Sequence, residues 1–263
     1  MPQNTFQTIK VTVENRVGRI IMARPEIRNA FDERMIPEIH TALDDLSSRD
    51  EVRAIVVTGE GKAFSAGADI DWMRRMGQAS FEDNLQDALK LAHMLDALAR
   101  CPKPTLARVN GPAIGGGTGL VAACDIAIAN SNAFFSFSEV KIGLVPGCIG
   151  PHVIRKVGEG RARELFITGR RIYAEEAERY CLVNKIAPEG ELDMEVDALL
   201  KQFLSSGPSA IHAAKRLVRD VPGMSREEYI EYTARMISEL RTSPEGQEGT
   251  KAFLEKRKPN WVE

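Results

Sequence analysis

Residues 110–125 read NGPAIGGGTGLVAACD, and the rest of the chain is organised around them. The run before them, TLARV at 105–109, is short, apolar and β-branched, the pattern of a buried strand. The apolar segment that follows, Leu120 to Cys124, predicts a helix. Gly115, Gly116 and Gly117 therefore fall at a strand-to-helix turn. Glycine there permits backbone conformations closed to other residues and lets a ligand approach the main chain. The first N–H groups of a helix have no partner inside it and carry the positive end of its dipole, so such a turn can hold an anion or a developing oxyanion. A glycine cluster without context is better read as a tight turn packed against a neighbouring strand, and the surrounding chain has to decide.

At 263 residues, 43% hydrophobic and 27% charged, the chain has the makings of a large core, or of one large domain with a smaller one. A formal net charge of −2 supplies no attraction to nucleic acid or to an anionic membrane, and the basic residues are scattered apart from a short C-terminal cluster. No apolar run approaches the roughly 20 residues a membrane span needs. The start, MPQNTFQTIK, lacks the basic and apolar regions of a leader, so none is predicted. Cys101, Cys124, Cys148 and Cys181 are widely spaced without a C-x-x-C pair, which predicts reduced thiols in a cytoplasmic protein. His40, His93, His152 and His212 form no ligand pattern with them, so no metal is expected. The string of a P-loop does not occur.

In chain order, residues 6–13 and 17–23 predict two strands joined by a turn. Asp32 then caps a helix carrying Met35, Ile36, Ile39, Ala42, Leu43 and Leu46 on one face, with Pro37 acceptable only in its first turn. RAIVVT at 53–58 reads as a buried strand, AFSAGADIDWM at 63–73 is too rich in glycine and alanine for one, and a polar, mobile segment follows over 74–80. Residues 81–100 place Leu85, Ala88, Leu91, Ala92, Leu95 and Leu98 on one helical face. Beyond the glycine stretch, strands are predicted at 125–130 and 133–137, then a loop carrying Glu139, Gly143, Pro146, Gly147 and Gly150. Helices follow at 153–168 and 174–180, and a strand at 181–187. From residue 192 only helices are expected, at 192–205, 208–219, 225–241 and 243–257, with Ser225 and Glu228 as a capping box. The division is an α/β body over 1–195 and a helical part over 196–263. A doubly wound nucleotide-binding fold would fit the alternation, but no G-x-G-x-x-G follows the first strand.

Four strings, AFSAGADI, NGPAIGGGTGLVAACDIAIA, FSEVKIGLVPG and the tail AFLEKRKPNW, occur in an order and spacing that resembles the crotonase, or enoyl-CoA hydratase/isomerase, superfamily. The resemblance implies an α/β fold, a crotonase-like spiral (superhelix) of ββα turns over 1–195 with a helical trimerisation region over 196–263. It implies an acyl-CoA substrate, no cofactor beyond the coenzyme A the substrate carries, no metal, no nucleic acid or membrane partner, and a homotrimer or dimer of trimers. It also implies an enolate whose oxygen is held by two backbone N–H groups, which fall by motif on Ala68 and Gly116. Losing one such donor typically costs a hundredfold in rate, roughly 3 kcal/mol.

Typical members carry two acids, and here the first position is Gly119 while the second is Glu139. With one acid, Glu139 can serve both halves of a syn addition of water, or shuttle a proton between two carbons as the family's Δ3,Δ2-enoyl-CoA isomerases do. A third alternative is a CoA-binding protein of this fold with little catalysis. Gly119 with SEVKIGLVPGCIGP resembles a bacterial branch of 3-methylglutaconyl-CoA hydratases, where the glycine would make room for a branched chain and remove a charge facing a substrate carboxylate. Ile149, Pro151 and His152 stand where glycine, threonine and glutamine are usual. The resemblance assigns substrate and CoA contacts to Arg28, Asn29, Ala30, Ala66, Asp69, Ile70, Gly115, Gly119, Pro146 and Gly147, and, reaching a neighbouring subunit, to Phe253 and Lys256. Trp72 and Met73 either line the acyl pocket or pack in the core.

Overall fold

The run Ala54–Gly59 is buried along its whole length and occupies an inner position in a six-stranded sheet. A strand covered on both faces reads as a continuous apolar run rather than an alternation. The structure, a computed structural model, describes residues 6–262; residues 1–5, which carry half of the leader reading, and residue 263 lie outside the described part.

The strands are β1 (Ile9–Glu14), β2 (Val17–Met22), β3 (Ala54–Gly59), β4 (Thr105–Val109), β5 (Ala113–Ile114), β6 (Ile126–Asn130), β7 (Phe134–Ser136), β8 (Arg171–Tyr173) and β9 (Lys185–Ala187). The large sheet has the order β1-β2-β3-β4-β6-β9, antiparallel only between β1 and β2. Ile20, Val57, Ala107 and Ala127 stand in register across four of its strands, each with no exposed surface. The small sheet is β5-β7-β8.

The helices that follow the strands are α1 (Met35–Ser48), α2 (Ile70–Met76), α3 (Phe81–Arg100), α4 (Gly116–Ala123), α5 (Gly150–Val157), α6 (Glu159–Thr168) and α7 (Ala174–Arg179). The remaining four are α8 (Leu192–Ser205), α9 (Pro208–Asp220), α10 (Arg226–Thr242) and α11 (Pro244–Leu254). A two-strand-then-helix turn recurs as β1-β2-α1, β4-β5-α4 and β6-β7-α5. In the last two, the first strand joins the large sheet and the second the small one.

Asp32 caps α1 through its carboxylate, which accepts from the N–H groups of Arg34 and Met35 at 3.1 and 2.9 Å. Pro37 is the third residue of that helix, where its missing N–H would have no partner anyway. The segment expected to be mobile and polar is helical as far as Met76. The single helix expected over 153–168 is two, because Gly158 takes φ +79° and ψ 159° between α5 and α6. The strand expected over 181–187 is confined to β9, since Cys181 is left-handed at φ +63°.

The described residues as far as Cys101, with Thr105–Val196, form one compact unit. Pro102–Pro104 and the described residues from Asp197 form a second. Within the second, Ser225 and Glu228 make the capping box in both directions, and Trp261 Nε1 donates to Ser205 O at 3.2 Å.

The backbone also approaches closely at Gly117, where a Cβ would lie 2.7 Å from Ser65 O and 2.8 Å from Ser65 Cβ. Neither is the flexible end of a side chain. Gly117→Ala is therefore expected to lose about 1–3 kcal/mol in denaturant unfolding. Gly160→Ala in α6, where nothing lies within 4 Å, is the control and should be neutral or slightly stabilising.

Candidate active site

Two chain turns meet edge to edge. The N–H groups of Phe64 and Ser65 both donate to Pro112 O, at 3.0 and 3.2 Å, and Ile114 N–H donates back to Ser65 O at 2.9 Å. Ser65 Oγ, fully buried, donates to Asn29 O at 2.8 Å and accepts from Gly67 N–H at 3.2 Å. On the outer side of the first turn, Phe31 N–H donates to Gly67 O at 2.6 Å and Asp69 N–H to Phe31 O at 2.7 Å. Ala68 lies between these two bonds, and its own N–H has no acceptor among the described residues.

The second turn ends at Gly115, at φ +50° and ψ −119°, whose N–H donates to Ser136 O at 2.9 Å. Gly116 opens α4, so its N–H has no partner within the helix, and none is found elsewhere among the described residues. The Phe31 ring packs under this turn: a Cβ on Gly116 would stand 2.8 Å from Phe31 Cε2. One buried phenylalanine thus braces both turns. Ala68 and Gly116 line a single cavity of about 580 Å³, within the usual range of small-molecule sites.

Glu139 enters the same cavity from a 3-10 turn over Ser138–Ile142, which Gly143 terminates in the left-handed region. Its carboxyl lies against the glycine turn, since a Cβ on Gly115 would be 3.1 Å from Glu139 Oε1. Oε2 is buried without a hydrogen-bond partner. Burial pushes this carboxyl above the usual range, and a hydrogen bond from its own main chain offsets only part of that.

A second carboxyl that sequence reasoning missed faces the cavity from α3. Asn84, Asp87, Ala88 and Leu91 line it at helical spacing. Asn84 is committed to the main chain, donating to Met76 O, Ala79 O and Ser80 O. Asp87 is raised by burial, partly opposed by Lys90 and reinforced by Glu33. Those four positions share a face in the sequence already, but the leucines of the neighbouring stripe dominate the pattern.

Among the other anticipated residues, Ala66, Gly115, Pro146 and Gly147 line the cavity, as do Trp72 and Met73. Trp72 Nε1 is buried and unpartnered. Asn29 is fully buried; its amide donates to Glu60 O and Ala63 O at 2.9 Å and its oxygen accepts from Arg24 N–H, so its side chain is a brace rather than a ligand contact. Ala30 O accepts from Arg24 Nη1, and Arg28 O accepts from Ala66 N–H, leaving the Arg28 side chain exposed. Asp69 caps α2 through Asp71 and Trp72 N–H and pairs with Arg24 at 3.1 Å. Burial acts to raise its carboxyl, but those backbone donors and Arg24 outweigh it and hold it low. Ile70 is exposed, as are Phe253 and Lys256 in the second unit, and none of the three lines the cavity.

Gly119 requires a correction. It is buried within α4 and does not line the cavity. A Cβ there would overlap Ile149 Cγ2 and stand 2.8 Å from Ile149 Cβ. The glycine makes no room for a branched chain, because isoleucine already fills the space above it.

The family described as enoyl-CoA hydratase/isomerase matches residues 12–263. The mitochondrial enoyl-CoA hydratase of Pongo abelii is 36% identical over 248 residues, 94% of this chain and 84% of that protein. An enoyl-CoA hydratase structure from Shewanella pealeana superposes with a TM-score of 0.95 at 36% identity, covering 98% of this chain and 97% of that one. An enoyl-CoA hydratase/isomerase from Marinobacter aquaeolei superposes at 0.93 and 29% identity, covering 97% and 99%. The chain belongs to the enoyl-CoA hydratase/isomerase family and has the crotonase fold.

Proposed function

We propose that the chain is an enoyl-CoA hydratase, adding water to the double bond of an enoyl thioester or removing it in reverse. The observation that carries this reading is the meeting, in one cavity, of two acceptor-free backbone N–H groups and a buried carboxyl raised above its usual range. As electrons move onto the thioester oxygen, the amides of Ala68 and Gly116 stabilise it without reorganising.

Glu139 takes a proton from water as the oxygen bonds to C3; the π pair moves toward the thioester to give the enolate. The same carboxyl then returns a proton to C2. One group serves both halves, and a carboxyl of raised proton affinity is suited to give as well as take. The reading needs no cofactor besides the coenzyme A of the substrate. It includes a trimer or dimer of trimers in which Phe253, 82% exposed, and Lys256 reach a neighbouring subunit's coenzyme A.

The second reading, a Δ3,Δ2-enoyl-CoA isomerase, is favoured by the single acid at the anticipated positions. Purified protein offered crotonyl-CoA and a 3-enoyl-CoA separates the two. Loss of the crotonyl absorbance with formation of a 3-hydroxyacyl thioester is expected, whereas double-bond migration alone would replace the first reading by the second. Glu139→Gln should still bind the CoA ester in calorimetry but lose turnover by about a hundredfold or more; near-normal turnover would remove Glu139 from the mechanism.

The same substitution is expected to raise thermal stability at neutral pH. The folded state holds the Glu139 proton more tightly than the unfolded chain does, so wild-type stability falls as pH rises from the ordinary carboxylate range through the raised value. Glutamine carries no such charge. Melting curves should therefore place the variant a few degrees above wild type at pH 8, with the gap closing toward pH 4.

A further inference from the structure

Gly119 lies three residues beyond Gly116 on α4, on the same face and about 4.5 Å along the helix axis. The side chain that covers it belongs to Ile149, the residue immediately before α5. Ile149 is 3% exposed, and its carbonyl accepts from His152 and Val153 N–H at 3.1 and 3.2 Å, so its main chain is fixed by the helix start. Leu95 of α3 closes the other side, its Cδ1 being 3.7 Å from where a Cβ on Gly119 would stand. Unlike Gly119 and Leu95, Ile149 lines the cavity.

The two positions share one volume. An acid at 119 and an isoleucine at 149 exclude each other, and this chain has glycine at the first and isoleucine at the second. The isoleucine Cγ2 stands over Gly119, three residues along α4 from the Gly116 amide. On the proposed reading C2 and C3 are two and three bonds from an oxygen held by that amide, so the isoleucine stands beside the reacting carbons rather than the acyl tail.

We propose that Ile149 is the residue that sets which acyl chains the cavity takes, by filling the space beside C2 and C3 with an apolar wall. The class admitted is the enoyl thioester unbranched at C3. A methyl substituent at C3 meets the isoleucine side chain and is disfavoured. Shortening that side chain opens a pocket of methyl size at the reacting carbons. The proposal rests on the hydratase reading for the pose of the substrate.

Binding of unreactive saturated thioesters tests it without turnover. The affinity ratio of 3-methylbutanoyl-CoA to butanoyl-CoA, measured by calorimetry, should rise about fourfold or more in Ile149→Ala, the effect of one methyl group newly buried. Ile149→Val, which removes a single carbon, should move the ratio in the same direction by less and guards against a variant that fails to fold. A ratio unchanged within twofold in both variants overturns the proposal.

A second readout concerns the shared volume alone. Gly119→Ala should lower the melting temperature of the wild type and have little effect in the Ile149→Ala background. Equal losses in both backgrounds would mean the residues do not exclude each other, and the proposal falls. If crotonyl-CoA is not hydrated but the binding ratio still shifts, the hydratase reading fails while the assignment of Ile149 stands. Hydration with an unmoved ratio is the reverse case.

Discussion

The hydrogen bonds from Phe64 and Ser65 to Pro112, and from Ile114 to Ser65, hold two strand-ending turns together in a single geometry. Everything proposed for the site depends on what they leave over. On either side of Ala68 and before Gly116 the main-chain N–H groups are paired: Gly67 with Ser65, Asp69 with Phe31, and Gly115 with Ser136. Ala68 and Gly116, both at the cavity, keep free N–H groups, one on a turn and one at the start of a helix. Ala68 is exposed and Gly116 half-buried, so both amides stay open to whatever acceptor enters the cavity. Because Phe31 braces both turns from beneath, neither amide can rotate to find a protein partner without moving a fully buried ring. That is preorganisation in a structural sense, with the reorganisation completed on folding.

Much of this was legible in the chain. The glycine triplet, the strand before it and the helix after it have the expected positions, and the span of α3 is the one the pattern gives. Local chemistry determined them: glycine at a turn, apolar residues at helical spacing along α3, and proline confined to the first turn of α1. Elements held by distant partners were hidden. β8 has three residues and exists because it pairs with β7, some 35 positions earlier, a contact no local pattern announces. Gly158 was read through because the apolar spacing continues across it, although its φ of +79° breaks the helix.

The site residues divide in the same way. Backbone donors follow from motif, since their geometry is a property of their own turn. The neighbours of a side chain do not. Gly119 looked like an opening because a missing side chain is visible in sequence and the isoleucine that replaces its volume, 30 positions later, is not. Asp87 was passed over because the leucine stripe beside it carries the stronger signal.

The exchange of an acid for an isoleucine also changes what raises the proton affinity of Glu139. Two carboxylates sharing a site push one another up by like-charge repulsion. Here the rise comes from burial, with Oε2 unpartnered, and no charged neighbour contributes. A carboxyl tuned by dryness responds to what fills the cavity. Ile142, Leu144 and Val145 form an exposed apolar rim on the same wall, and an acyl chain laid against them removes water from the space that Glu139 faces. Occupancy and proton affinity then rise together, so in the proposed mechanism the carboxyl best holds the proton destined for C2 when the thioester is in place to receive it. A second acid beside Glu139 would add a contribution that does not depend on occupancy.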